Sequence, residues 1–209
     1  MADLQGIRNA IIKGNRAEAT KLTKAAIEEN IEPRTLLDTM VSAMDEIGQK
    51  FQCNQVFVPE MLIASRAMKE SMALLEPLLI KAGIKPAFTA VIGTVQGDLH
   101  DIGKNLVAMM WKGANFGVVD LGTNVAPEKF VAAAKEHNAS IVGLSALLTT
   151  TMPAMKATIE AIKAAGLSQT KILIGGAPIT QEFADQIGAD AFAADAASAV
   201  TAVRKLMAV

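Results

Sequence analysis

Asp98, His100 and Gly103 form a D-x-H-x-x-G pattern within "GTVQGDLHDIGKN", Gly93 to Asn105. His100 is one of two histidines in the chain. It stands between Asp98 and Asp101, on a glycine-rich turn that directly follows the apolar run Phe88–Ile92. Imidazole is both a proton carrier near neutral pH and the commonest metal-binding side chain. Such a turn suits a ligand or a catalyst better than a core residue. The plain alternative is a loop histidine beside a helix cap, a position that suits Asp101.

Other chemistries lack their residues. No G-x-x-x-x-G-K-[ST] phosphate loop occurs, and glycines 93, 97 and 103 miss the dinucleotide spacing. A hydrolytic triad lacks its G-x-S-x-G elbow. Zinc needs three or four ligands. His100, Asp98 and Asp101 could supply some, but Cys53 and His137 have no spacing to join them. His137, in "AKEHNAS", reads as a solvated residue near a helix end. Lone Cys53 rules out an intramolecular disulfide.

The elements that must position this turn fall into two groups. Within the first eighty or so residues, Leu37, Met40, Val41, Met44, Ile47 and Phe51 recur at helical spacing, as do Met61, Ala64, Met68, Met72, Leu75 and Leu79. With a short stripe at Leu4, Ile7 and Ile11, and the segment "GNRAEATKLTKAAIEEN", they predict a four-helix bundle over residues 1–82. Pro33 and Pro59 fit helix starts. The connection "FQCNQVFVPEML" is more apolar than a solvated loop requires; it either caps the bundle core or covers something bound beside it.

Beyond the linker "IKAGIKP", the runs "AFTAVIGTV", "FGVVDLGT", "SIVGLSALL", "KILIGGAP" and "DAFAADA" alternate with helical stretches. Residues 83–209 are therefore expected to form an α/β domain with a doubly wound, five-stranded parallel sheet. Ligands of such sheets bind beyond the carboxyl ends of the strands. Here those ends carry "GTVQGDLHDIG", "LGTN", "SALLTTT" and "GGAP".

Charge sets limits on partners. Lys and Arg number 20 against 21 Asp and Glu, a net charge of −1, and no basic run suggests nucleic acid. The opening residues are charged too early for a secretory signal. The uncharged stretch Ala139–Met155 falls short of a membrane span. The expectation is a cytoplasmic protein with no membrane partner.

Longer spacing turns the pattern into a signature. From Gly103 there are 41 residues to Ser145-Ala-Leu147, and 27 more to Gly175-Gly176. The set D-x-H-x-x-G, S-x-L and G-G resembles the cobalamin-binding domain of corrinoid-dependent methyltransferases and mutases, a Rossmann-like or flavodoxin-like fold. "GDLHDIGKNLV", "VVDLGTNVAPEKF" and "GLSALLTTTM" are similar to stand-alone corrinoid proteins of methyltransferase systems and to the matching region of methionine synthase. "VFVPEML" resembles the helical cap over the methyl face of the corrin, so the likeness covers nearly the whole chain.

The resemblance implies a cobalamin or related corrinoid cofactor, with His100 as lower axial ligand of its cobalt. Asp98 and Thr151 would complete a relay behind the imidazole, where a carboxylate that shares its proton would ease release of the ligand. Gly97, Leu99, Asp101, Ile102 and Gly103 would line the corrin edge. Ser145, Leu147, Thr149, Gly175 and Gly176 would line the slot for the displaced nucleotide tail, where a Cβ would collide with it. Phe51, Val58 and Met61 would shield the upper face. Gln96 departs from the lysine of many relatives, which touches only a peripheral contact.

By the same resemblance the chain is a methyl carrier. Co(I) would take a methyl group delivered by a substrate-specific methyltransferase. Methyl-Co(III) would then donate it to a second methyltransferase serving tetrahydrofolate or coenzyme M, with a reductive activating protein as a further partner. No substrate barrel is evident, so the chain would not be a complete enzyme alone. A cobalamin-based sensor shares both modules but usually adds a DNA-binding domain and a tryptophan in its helical half, whereas Trp111 lies in the second domain. An adenosylcobalamin mutase subunit would not need the helical cap.

Overall fold

A computed structural model describes residues 2–208. The chain packs as two compact units, one running to Pro86 and taking in Gly113–Asn115, the other formed by Ala87–Lys112 and Phe116 onward.

The first unit holds α1 (Leu4–Ile12), α2 (Arg16–Glu28), α3 (Pro33–Gln52) and α4 (Val58–Lys81). Short polar side chains start the first two: Asp3 accepts from the Gly6 N–H and Asn15 from the Glu18 N–H, meeting donors that the first helical turn leaves open. Prolines begin the other two, where the missing N–H costs nothing. Glu60 adds a carboxylate that accepts from the Phe57 N–H. The apolar stripes meet as expected, through Ile7 and Ile11, Leu37, Met40, Met44 and Ile47, and Met61, Met68, Leu75 and Leu79, all buried. The apolar connection is shorter than the sequence suggests. Only Cys53–Phe57 separate α3 from α4, and "VPEML" is already the first turn of α4.

In the second unit, β1 (Thr89–Thr94), β2 (Gly117–Asp120), β3 (Ile141–Ser145), β4 (Lys171–Gly175) and β5 (Ala191–Ala193) alternate with helices. These helices are α5 (Ile102–Gly113), α6 (Pro127–Glu136), α7 (Met152–Ala164), α8 (Gln181–Ile187) and α9 (Ala196–Met207). The strands pair in parallel in the order β2-β1-β3-β4-β5. Helices cover both faces, so successive strand residues are buried on opposite sides. Val91, Val142, Leu144, Ile172 and Ile174 join Phe130, Met155, Ile159 and Ile162 of α6 and α7 in one core. On the other face the Trp111 indole of α5 lies so close to β3 that a Cβ at Gly143 would come within 2.7 Å of it. No helix among the described residues is long and apolar enough to cross a membrane.

The order 2-1-3-4-5 reverses direction between β1 and β3. Their following connections leave toward opposite faces and open a crevice at that point, the usual ligand position in such sheets. The histidine turn follows β1, and the stretch Ala146–Thr151 follows β3.

Candidate functional site

Thr94, the last residue of β1, has its side chain buried and donates Oγ1–H to the His100 carbonyl at 2.8 Å. Between them the chain makes a turn closed by the Asp98 N–H on the Val95 carbonyl at 3.1 Å. Gly97 has φ +85° there, a left-handed conformation that favours glycine.

The turn drives Asp98 inward. Its side chain is fully buried, whereas that of His100 is 51 % exposed. Oδ1 accepts from the His100 backbone N–H at 3.1 Å and from ring Nδ1 at 2.8 Å. Oδ2 accepts from the N–H groups of Leu147 at 2.8 Å and Leu148 at 3.2 Å, and from Thr151 Oγ1 at 2.8 Å. The Thr151 hydroxyl also lies 2.8 Å from the Leu148 carbonyl. With one proton to give, it favours the charged acceptor.

Burial alone would push the Asp98 carboxyl up. The Leu147 N–H, then the His100 N–H and ring and the Thr151 hydroxyl outweigh it and hold the group far below the usual carboxylate range. An ionised carboxylate only accepts, so Nδ1 is the ring nitrogen that carries a proton toward it, and in the neutral ring Nε2 is the one left with a lone pair for a ligand. In this form Asp98 acts as an acceptor only.

Around the imidazole lie side chains that globular surfaces seldom show together. Leu99 is 73 % exposed, Ile102 76 %, and Leu147 and Leu148 42 % each. Gly97, Asp101, Gly103 and Thr149 are exposed beside them, and Ser145 is half-buried at the end of β3. An added Cβ at Gly103 would meet nothing within 4 Å, so nothing in the chain itself requires glycine there. Gly175 and Gly176 have a different reason. A Cβ would come 2.9 Å from the Ala193 carbonyl oxygen at Gly175 and 1.8 Å from that of Ala146 at Gly176. Whatever binds nearby, the sheet itself demands those two glycines.

Asp98, His100 and Thr151 are thus brought into one network, with the other candidates of the second unit around it. Asp101 bonds the Asn105 side chain at 3.0 Å. Phe51, Val58 and Met61 belong to the helical unit; the first two are half-buried, and Met61 is fully buried and packs as core. Phe57, not among the candidates, is the exposed aromatic of that stretch at 62 %. Sequence reasoning also missed Thr94, Leu148, and the pair of Lys104 with Asp120. Lys104 is 2 % exposed and places Nζ 2.6 Å from Asp120 Oδ2 and 2.7 Å from Asn105 Oδ1. Its signal was available, since a lysine inside an apolar helix face needs a partner. Among the described residues no three His, Cys, Asp or Glu side chains gather as a metal cluster.

Two family profiles match, both described as B12 binding domain, over residues 88–204 and 4–76. A corrinoid protein of Desulfitobacterium hafniense is 39 % identical over 99 % of this chain and 98 % of its own. Trimethylamine corrinoid protein 1 of Methanosarcina acetivorans is 39 % identical over 96 % of this chain and 94 % of its own. Among solved structures, the methanol:cobalamin methyltransferase complex MtaBC of Methanosarcina barkeri aligns with a TM-score of 0.82 at 26 % identity, over 98 % of this chain and 79 % of that one. With both halves matched and relatives alike along their whole length, the chain belongs to the B12-binding corrinoid proteins.

Proposed function

We propose that this chain is a corrinoid methyl carrier, with residues 83–209 as the cofactor-binding domain and residues 1–82 as its helical cap. The residues present fit a corrinoid. One imidazole, with no cluster of three His, Cys, Asp or Glu among the described residues, suits a metal whose other ligands the cofactor itself would bring. The exposed leucines and isoleucine beside it suit a broad ring more than water. Gly103 leaves clear the space that such a ring's edge would take.

When bound, the cofactor supplies a cobalt centre able to hold a methyl group and give it up. The chain supplies the rest. His100 offers Nε2 from a ring whose tautomer and angle are set by Asp98. Asp98 is itself held by the Leu147 and Leu148 amides and the Thr151 hydroxyl, so the ring cannot turn without breaking bonds at a buried carboxylate. Leu99, Ile102, Leu147 and Leu148 would exclude water from the side of the cofactor that His100 meets.

The names of its relatives support a methyltransferase as partner: one is a trimethylamine corrinoid protein, and another belongs to the methanol:cobalamin methyltransferase complex MtaBC. A second methyltransferase acting toward tetrahydrofolate or coenzyme M, and a reductive activating protein, complete the cycle we propose. The setting is the cytoplasm.

The observation that carries this reading is the half-exposed His100 ring backed by fully buried Asp98. Corrinoid-loaded protein, reduced to the cobalt(II) state and examined by paramagnetic resonance, should show nitrogen splitting that changes on ¹⁵N-histidine labelling and is absent from His100→Gln. A wild-type spectrum without it would sink the reading.

A gentler test uses Gly103. Alanine in this helical position should leave the cofactor-free protein as stable as before or raise it by about 0.5 kcal/mol. Corrinoid affinity should nonetheless fall at least about tenfold, because the methyl group occupies space left for the ring. Titration with cofactor and thermal melting of the apoprotein check the two halves, and unchanged affinity would refute the assignment of that space.

A further inference from the structure

We infer that Asn124, in the loop after β2, is a positioning residue that clamps the histidine turn and so sets the aim of the His100 ring. The inference rests on His100 being the cofactor ligand.

Asn124 holds the turn twice. Its Oδ1 accepts from the Gly97 N–H at 2.8 Å, and its own backbone N–H donates to the Asp98 carbonyl at 2.9 Å. The two bonded groups flank the dipeptide that must be fixed for Asp98 to point inward and His100 outward. In a turn of this kind the N–H of the left-handed residue is not used by the turn itself, so Gly97 needs an outside acceptor.

Asn124 is also left-handed, at φ +53°. The other asparagines with positive φ, at 30, 54, 115 and 138, each lie two residues beyond the end of α2, α3, α5 or α6, where asparagine commonly ends a helix. Asn124 follows a strand and ends no helix. Helix termination therefore does not account for it, whereas a residue that tolerates a left-handed backbone and carries a short acceptor does.

A clamp works only if it is itself anchored. The Thr94 N–H donates to the Gly122 carbonyl at 2.9 Å, and the Val125 N–H to the Thr94 carbonyl at 3.0 Å. Asp120 accepts from the Gly122 N–H at 2.9 Å and pairs with buried Lys104 on α5. Both ends of the loop are thus tied to β1 and α5, the elements on either side of His100.

Three variants separate this role from general stability. Asn124→Gly keeps the left-handed backbone without strain and removes the acceptor. Asn124→Ser shortens the acceptor beyond reach of Gly97, and Asn124→Asp keeps it. In the apoprotein, solvent exchange of the Gly97 amide and the ¹⁵N shifts of the His100 ring are read beside the melting temperature. In corrinoid-loaded cobalt(II) protein, the fraction with histidine nitrogen splitting is read.

The expected result is Gly97 exchange at least about tenfold faster in the Gly and Ser variants, once the amide loses its partner. The His100 Nδ1 proton should lose its single bonded resonance, and the histidine-ligated fraction should fall. The Asp variant should behave as wild type. A Gly or Ser variant whose melting temperature drops while Gly97 exchange and the ring signals stay unchanged would overturn the clamp. Should the glycine variant fail to fold, the serine variant decides on the same readouts. If wild type itself shows no histidine splitting, the ligand assignment fails, and the apoprotein signals still decide whether Asn124 holds the turn.

Discussion

Gly176→Ala is expected to cost the protein about 4 kcal/mol of stability. Two effects act together. The residue has φ +137°, where an L side chain is strained by about 1–3 kcal/mol. The new Cβ would also fall 1.8 Å from the Ala146 carbonyl oxygen, and that atom is backbone, with no rotamer to turn aside. Relief requires the carboxyl ends of β3 and β4 to separate, which breaks the bond from the Ala146 N–H to the Gly175 carbonyl, 3.2 Å long. Ala146 immediately precedes the two amides that hold Asp98, so the damage reaches the site. Urea unfolding followed by the fluorescence of Trp111, the only tryptophan and fully buried in the same unit, measures the effect. A loss below about 1 kcal/mol would mean that the strand ends yield easily and that the glycine is needed for something else.

Asp98→Asn should be the most damaging isosteric change at the site, at about 3 kcal/mol. The carboxylate takes bonds from the Leu147, Leu148 and His100 N–H groups, the His100 ring and the Thr151 hydroxyl. An amide offers one oxygen and turns an NH2 toward the remaining donors, leaving buried donors unpaired. The pH dependence follows from the sign of the shift. The Asp98 carboxyl is depressed in the folded protein, so its contribution is complete well above its unfolded value near about 3.9. It is lost as pH falls through the folded value. The stability gap between wild type and Asp98→Asn should therefore be constant near neutrality and begin to narrow below about pH 4. A gap that stays constant far into acid would show that the charge is not what the donors hold. Corrinoid affinity should fall about 10–100-fold, the usual cost of losing the partner behind a metal-bound histidine.

The candidate site was legible to unequal depth. D-x-H-x-x-G, S-x-L and G-G are local strings at strand ends, and each stands where the alternation of strand and helix places it. The same strings gave Gly175 and Gly176 a role as cofactor-slot residues, whereas their first obligation is to carbonyl groups of Ala193 and Ala146. The stripe through Met61 was correct as a stripe. A period of 3.6 marks which side chains share a helix face and says nothing about whether that face meets a core or a ligand. Thr94, Leu148, Asn124 and the Lys104–Asp120 pair are not positions of that motif. Asn124 meets Gly97 across 27 positions, and Leu148 meets Asp98 across 50.

Local chemistry alone determined the class of each element, the alternation that makes a parallel sheet, the turn that exposes His100, and the spaced motif of the corrinoid proteins. All of these are written along the chain itself, in periods, prolines, glycines, polar starts and the spacing between short motifs. The strand order 2-1-3-4-5, which opens a crevice between β1 and β3, was decided by tertiary structure. So were the Leu147, Leu148 and Thr151 donors that join His100 in keeping Asp98 ionised, and the loop that grips the histidine turn. Parallel strands join only through long crossovers, so neighbours in such a sheet are distant in the chain, and their meeting depends on a register that no short stretch of residues encodes.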